Sequence, residues 1–212
     1  MTAGQPAGRP AGRTEEGAQD EEARGPRWDG QCSPGAPVRV RTAQAEDAGA
    51  LAELAAVTFP LACPPGSTPA DQQTFLAQHL SAERFAGYAA DPSRVLLVAD
   101  DPTGALLGYT MLVHATPADP DVRAALTLSP TVELSKCYVH PDHHGSGVSS
   151  RLMAVTLEAA RGTGAAGVWL GVNQLNDRAQ RFYARHGFAV VGTKHFQVGS
   201  RVEDDYVLER PL

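Results

Sequence analysis

The sequence is poor in positive charge and has no long apolar run. Lysine and arginine together number 18, against 24 aspartates and glutamates, and the formal net charge is -6. This balance gives no clustered basic surface of the kind that binds nucleic acid, so we expect small molecules or other proteins as partners. No apolar segment approaches the roughly 18 residues of a membrane-spanning helix, and the first residues lack the apolar core of a signal peptide. We therefore expect a soluble, cytoplasmic protein with no membrane partner.

Cysteine is also scarce. Cys32, Cys63 and Cys137 are odd in number and far apart, so they indicate neither a disulfide framework nor a CxxC metal site. The simplest interpretation is that the protein lies in a reducing compartment, where these cysteines stay as free thiols. Three histidines crowd into residues 140–144, but no carboxylate at metal-site spacing accompanies them. We predict no metal site.

Composition divides the chain near residue 38. Residues 1–37 are dominated by Gly, Pro, Ala, Glu and Arg, and Trp28 is their one aromatic residue. Such a segment buries too little apolar surface to offset the entropy of ordering it, so we predict a disordered tail over residues 1–37. Residues 38–212 are long enough to form one domain with its own core.

Periodicity in residues 38–212 predicts an α/β (α+β) domain. A strand and two helical segments come first, and two strands joined by the turn DPTG follow. The strand TVELSKCYV, a helix from Gly147, the strand GVWLGV, a helix from Asn176 and two closing strands complete the order, which amounts to about seven strands and four helices. Strict alternation in TVELSKCYV separates two faces. One face holds Val132, Leu134, Lys136 and Tyr138, and the other holds Glu133, Ser135, Cys137 and Val139.

A loop with two glycines, PDHHGSGVSS at residues 141–150, joins a strand to a helix. Unpaired N–H groups and the positive end of the helix dipole make such a loop an anion pocket. Val148 follows Gly147 where a Walker A loop has lysine, and Ser150 stands where a dinucleotide-binding fingerprint needs a third glycine. No serine of the loop has the flanking glycines of a nucleophile elbow. An ordinary glycine-rich helix start stays open on these residues alone.

The segments on either side of the loop give a more specific indication of its function. The segments ELSKCYVHP, DHHGSGVSS, RLMAVTLEAA, VWLGV and NDRAQRFYARHGF together resemble the GCN5-related N-acetyltransferases, the GNAT superfamily. In the acetyl-CoA loop of that family, Q/R-x-x-G-x-G/A, Gly147 matches the first glycine, Ser149 the second small position and His144 a place often taken by arginine. The longer pattern N-x-x-A-x-x-F-Y-x-x-x-G-F is complete from Asn176 to Phe188.

The resemblance implies an N-acetyltransferase that uses acetyl-CoA as cosubstrate and a small-molecule amine as acceptor. It also implies a mostly antiparallel mixed sheet in which two strands splay apart around pantetheine, with the Val139 N–H polarising the thioester carbonyl. The loop would hold the pyrophosphate, and Arg151 would meet an outer phosphate. The implied cofactor-binding residues are Cys137, Tyr138, Val139, His144, Gly145, Ser146, Gly147, Val148, Ser149, Ser150, Asn176 and Tyr183.

Two side chains are candidate catalysts by the same resemblance. Glu133 matches the glutamate of the histone-acetylating branch and is the candidate general base, with an exposed strand carboxylate as the alternative interpretation. Tyr183 matches the usual general acid, with a core aromatic residue as the alternative. Direct transfer requires no covalent intermediate, so we expect Cys137 to be a small buried apolar side chain instead of a nucleophile.

The C-terminal half looks like the PaiA-type spermidine/spermine acetyltransferases. Net negative charge and the carboxylates of residues 203–205 also favour a cationic acceptor, and polyamines are the leading candidates. Amino acids, protein N-termini and antibiotics are alternative acceptors. A catalytically weak sensor domain for acyl-CoA is an alternative of another class, and a homodimer is compatible with the sequence.

Overall fold

The structure, a computed structural model, describes residues 38–64, 66–198 and 201–212. The predicted tail over residues 1–37 lies outside the described residues. The strands are β1 (Arg39–Thr42), β2 (Arg94–Asp100), β3 (Leu106–Val113), β4 (Thr131–Val139), β5 (Gly167–Asn173), β6 (Ala189–Val198) and β7 (Arg201–Pro211). The α-helices are α1 (Ala48–Thr58), α2 (Pro69–His79), α3 (Ala82–Ala90), α4 (Pro120–Ala125), α5 (Val148–Arg161) and α6 (Asp177–Arg185). Within these ranges no helix combines the length and the apolar composition needed to cross a bilayer.

The strands form one sheet in the order β1-β2-β3-β4-β5-β7-β6. Every neighbouring pair is antiparallel except β4 and β5, which run parallel. The expected mixed, mostly antiparallel seven-stranded sheet is therefore confirmed. The parallel pair arises because β4, α5 and β5 form a crossover unit within an otherwise antiparallel meander.

The described helices number six, two more than the sequence predicted. The region after Thr68 divides into α2 and α3 because Ser81 caps a new helix, its hydroxyl accepting a hydrogen bond from the Arg84 N–H at 3.3 Å. Helix α4 was missed because six residues are too few to show a helical period. It begins where Asp119 caps the chain just before Pro120, with 2.9 Å between its carboxylate and the Asp121 N–H.

Apolar clusters cover both faces of the sheet. On one face, helices α1 and α3 bury Leu51 and Phe85 against Tyr109 of β3. On the other face, Leu152 and Met153 of the amphipathic helix α5 are fully buried against the strands. The sheet is therefore the middle layer, and the ends of β4 and β5 lie between the two helical layers.

Strand β4 carries one extra residue relative to β3. Lys136 pairs with Met111, whereas Leu134 pairs with Leu112, so Ser135 has no partner of its own and the register shifts there. A β-bulge of this kind offsets the alternation of side chains by one position.

Because of the bulge, the side chains that share a face of β4 differ from those that the sequence predicts. Leu134 and Cys137 both pack into the apolar cluster that contains α5 residues, whereas Tyr138 packs against the α1 and α3 cluster. Glu133 and Lys136 line one cavity on the Tyr138 side. The expectation that Lys136 shares a face with Leu134, and Glu133 with Cys137, is therefore wrong.

The parallel strands β4 and β5 pair over a short length only. Their register joins Thr131 through Glu133 to Gly167 through Trp169, and no further pairs follow. Beyond this point β5 stays paired with β7 as far as Asn173, while β4 stays paired with β3 as far as Val139. The two strands consequently diverge, which opens a gap in the middle of the sheet.

Candidate active site

Two cavities meet at the gap between β4 and β5. The first, of about 400 Å³, lies between the loop of residues 144–150, the end of β4 and helix α6, and we call it the loop cavity. The second, of about 310 Å³, lies between β4, β5, β6, β7 and the segment after α1, and we call it the charged cavity. Residues that line both cavities are Ala62, Cys137, Tyr138, Asn176, Ala179 and Tyr183.

The loop cavity has a largely main-chain wall at the start of α5. Gly145 and Gly147 adopt φ values of 82° and 91°, which side-chain-bearing residues rarely adopt, so glycine suits both positions. No side chain caps the N-terminus of α5, and the space beside both glycines is open. Ser149 and Ser150 add small polar side chains to the same wall. The wall can therefore present free N–H groups to an anion.

His144 ties the loop to the end of β4. Its Nε2 lies 2.9 Å from the Val139 carbonyl oxygen, so this ring nitrogen is a donor. Partial burial lowers the pKa of His144, and the nearby positive charge of Arg178 adds to that effect. The neutral ring can thus position the loop without adding a full charge to it.

The main chain of β4 presents hydrogen-bonding groups to the gap. The His140 N–H donates to the Leu107 carbonyl of β3 at 2.8 Å. Because main-chain groups of successive strand residues point to opposite sides, the Val139 N–H points away from β3 and into the gap. The position of the Val139 carbonyl, which His144 reaches from that side, agrees with this direction.

Three of the predicted cofactor-binding residues have other side-chain contacts. Val148 is buried in the core between α5 and the sheet. The Ser146 hydroxyl donates to the His143 carbonyl at 2.6 Å. Asn176 accepts a hydrogen bond from the Ala179 N–H at 3.0 Å and so caps α6, while it also lines both cavities. The side chains of Val148 and Ser146 therefore support the loop instead of lining its cavity.

Tyr183 and Cys137 lie side by side where the cavities join. Burial raises the pKa of the Cys137 thiol to about 12, an effect that a hydrogen bond with Tyr183 partly offsets. Burial also raises the pKa of Tyr183 well above its usual value. At neutral pH both groups are protonated, so Tyr183 can donate a proton, whereas Cys137 is a poor nucleophile.

The charged cavity contains ionisable side chains of both signs, contributed by β4, β6 and β7. They are Glu133, Lys136, Lys194, Glu203 and Asp205. Burial raises the pKa of Glu133, and the positive charges of Lys194 and Lys136 oppose that rise. Burial likewise raises the pKa of Asp205 to about 6, although Lys194 lies 3.9 Å from its carboxylate. Each carboxylate can therefore exchange a proton closer to neutral pH than an exposed one.

Several residues that line the cavities were not predicted from the sequence. Lys136 and Lys194, the two lysines of the chain, line the charged cavity, and Arg178 and Arg185 line the loop cavity. Lys194 reaches the charged cavity across Gly171 of β5, where the end of its side chain occupies the space that a Cβ would take. The rarity of lysine was the one available signal, and nothing in the local sequence linked the two positions.

Metal ligands do not gather in the described part of the chain. No group of three His, Cys, Asp or Glu side chains there could hold a metal ion. The rings of His140 and His143 lie 5.9 Å apart, between their centroids.

Comparison with known proteins adds independent information to this geometry. The model of the family described as "Acetyltransferase (GNAT) family" matches residues 54–188. An uncharacterized N-acetyltransferase of Mycobacterium bovis is 46% identical over 166 residues, which are 78% of this chain and 98% of that protein. An uncharacterized N-acetyltransferase of Mycobacterium tuberculosis shows the same identity and coverage.

Two solved structures share the fold. The PaiA N-acetyltransferase of Thermoplasma acidophilum, in complex with coenzyme A, superposes with a TM-score of 0.66 at 17% identity, over 83% of this chain and 99% of that one. The Salmonella typhimurium protein yncA, solved with its cofactor acetyl-CoA, gives a TM-score of 0.57 at 23% identity, over 83% of this chain and 94% of that one. The matched family model and the 46% identical relatives show that the chain belongs to the acetyltransferase (GNAT) family.

Proposed function

We propose that the protein transfers the acetyl group of acetyl-CoA directly to the amine of a small molecule. One observation carries the proposal: the loop cavity and the charged cavity meet at Tyr183. A thioester in the first cavity and an amine in the second would face each other across this side chain. Direct transfer needs such a meeting point, because both substrates must be bound at once.

The loop cavity suits coenzyme A in its chemistry. Free N–H groups at the start of α5 would bind the pyrophosphate, and pantetheine would run along the main chain of β4 beyond the point where β5 diverges. Arg178 and Arg185 line the same cavity and would attract the phosphates. Coenzyme A or acetyl-CoA in the structures of PaiA and yncA supports this assignment.

The transfer can be written with every proton assigned. Glu133 would accept a proton from the acceptor ammonium, directly or through water, because only the neutral amine is a nucleophile. As the amine nitrogen bonds to the carbonyl carbon, the Val139 N–H would stabilise the oxyanion. The carbon–sulfur bond then breaks, and Tyr183 would protonate the departing thiolate. The second proton of the amine restores the tyrosine hydroxyl, and Glu133 releases the first proton to water.

The charged cavity suits a small acceptor. Its volume of about 310 Å³ fits a small molecule, and Glu133, Glu203 and Asp205 would attract an ammonium group. Polyamines, which the sequence favoured, are therefore candidate acceptors. Lys136 and Lys194 count against them, because both would repel a second ammonium in the same cavity.

A thiol-release assay with acetyl-CoA and a panel of small amines tests the proposed activity. We expect thiol release that depends on both substrates, together with an acetylated amine detected by mass spectrometry. The variant Tyr183→Phe should bind coenzyme A in calorimetry and lose most of the turnover. If coenzyme A bound while no amine was acetylated, the chain would be a sensor of acyl-CoA instead of an enzyme.

A further inference from the structure

We infer that the acceptor carries an anionic group, a carboxylate or a comparable oxyanion, in addition to its amine, and that Lys136 binds this anion. The inference rests on the proposed function, since it concerns the substrate of the same site. Its basis is the distribution of charge inside the charged cavity.

Lys136 lies in this cavity under the electrostatic influence of Glu133 but without a salt bridge to any described carboxylate. None of the described residues forms a salt bridge or a hydrogen bond with its ammonium group. Its Nζ lies over the ring of Tyr88, 5.4 Å from the ring centroid. The guanidinium of Arg94 lies over the same ring at 4.8 Å. Lys136 is thus half-buried beside an aromatic face and close to a second cation.

The neighbouring cations differ from Lys136 because each has an acidic partner. Arg94 forms a salt bridge with Asp91 at 2.9 Å, and Lys194 lies 3.9 Å from the Asp205 carboxylate. Removal of an ammonium from water is unfavourable unless an anion compensates. Burial and the charge of Arg94 lower the pKa of Lys136 to about 8, a shift that the charge of Glu133 only partly opposes. The group remains mostly protonated at pH 7 and lacks a full counter-charge.

The charged cavity also contains carboxylates that would bind the amine end of such an acceptor. Glu133 shares the cavity with Lys136 because the bulge at Ser135 brings residues three apart onto one face. Glu203 and Asp205 add further negative charge from β7. A site with a carboxylate at one position and an ammonium without a salt bridge at another is complementary to a molecule that carries both charges. An amino acid has this pattern, whereas a polyamine presents a second cation to Lys136.

Matched sets of acceptors test the inference in the wild-type protein. Each set consists of an amino acid, its primary amide, the alkylamine without the carboxyl group and the diamine of the same chain length. Thiol release from acetyl-CoA gives kcat/KM for every member. We expect the carboxylate-bearing amine to exceed its amide by about tenfold or more in at least one set, as for one charge-assisted contact.

Variants assign the preference to Lys136. The change Lys136→Met should lower kcat/KM for the carboxylate-bearing acceptor by about tenfold or more and should change the amide and the alkylamine by less than about threefold. Lys136→Arg keeps the charge and should retain part of the preference. The control is Arg161→Met, because Arg161 pairs with Glu158 at the exposed C-terminal end of α5 and lines neither cavity. It should leave all ratios unchanged.

Three outcomes would overturn the inference. Preferential acetylation of spermidine or of diamines by the wild type would show that the cavity selects cations. An equal loss on all acceptors in Lys136→Met would make Lys136 a general participant in turnover instead of an anion-binding residue. Absence of thiol release with every amine would refute the proposed function and this inference with it. Should Lys136→Met fail to fold, Lys136→Arg and the wild-type acceptor sets still decide the question.

Discussion

One wall of the loop cavity is the main chain and small side chains of the short loop before α5, whereas the charged cavity collects ionisable side chains from β4, β6 and β7. The first construction suits a cosubstrate that never changes, because N–H groups at a helix start bind phosphate whatever the side chains are. The second suits selection among acceptors, because charged side chains can be exchanged one at a time without disturbing the fold. The shared residue Tyr183 would couple the two.

Tyr183→Phe should have the largest effect, since the hydroxyl lies where both cavities meet. Loss of the proton donor should lower kcat by roughly 10²- to 10⁴-fold. Affinity for coenzyme A, measured by calorimetry, should change little, because the loop cavity keeps its main-chain wall. Turnover at the wild-type rate would remove Tyr183 from the mechanism.

Gly147→Val should damage the loop cavity alone. The φ of 91° at Gly147 is unfavourable for valine, and the strain of roughly 1–3 kcal/mol would displace the loop and lower the affinity for coenzyme A by about tenfold or more. Open space beside Gly147 makes backbone strain, and not a collision, the cause. Gly104→Val is a matched control, because Gly104 has a similar φ of 89° in the turn between β2 and β3. It should lower the melting temperature and leave the affinity intact.

Glu133→Gln should affect the charged cavity alone and should lower kcat/KM by about tenfold or more near neutral pH. Burial raises the pKa of Glu133, so wild-type activity should fall as the pH drops through that raised value. In a plot of kcat/KM against pH, the variant should lose this acidic limb. It should keep only the limb that is due to the ionisation of the acceptor itself. Superimposable profiles would remove Glu133 from the mechanism.

Lys194→Met should give the smallest effect, a displacement of the acidic limb. The positive charge of Lys194 lowers the pKa of Glu133 against the effect of burial. Its removal should raise that pKa, so the carboxylate becomes protonated at higher pH and the acidic limb of kcat/KM moves upward. Lys194→Arg retains the charge and should keep the limb in place. A downward displacement would contradict the assignment of this limb to Glu133.

Much of the loop cavity was predictable from the sequence. Two glycines ahead of an amphipathic helix indicated an anion pocket, and the pattern from Asn176 to Phe188 indicated the helix that carries Tyr183. Both patterns can be recognised in the sequence because each lies within a single loop or helix and its immediate flanks. The roles of these residues in binding and catalysis stay predictions until the variants are measured.

The charged cavity was predicted only in part. The sequence indicates Glu133 and the carboxylates near residue 204, but its alternation places Lys136 on the wrong face of β4, and no local pattern points to Lys194. A bulge depends on the pairing of β4 with β3, and residues 133 to 136 alone give no indication of it. Helix α4 was missed for a simpler reason, since six residues show no helical period.

The sequence by itself determined the order of the strands and of the longer helices, the glycine-rich loop ahead of α5 and the family, because these follow from local periodicity, glycine positions and fixed motif spacing. The tertiary structure alone decided which charges meet. Lys194 reaches the charged cavity because β6 pairs with β7 and β7 with β5, and its side chain passes over Gly171. Glu133 and Lys136 share a face only because one residue of β4 is unpaired. Contacts between distant strands depend on register, and register is a property of the assembled sheet.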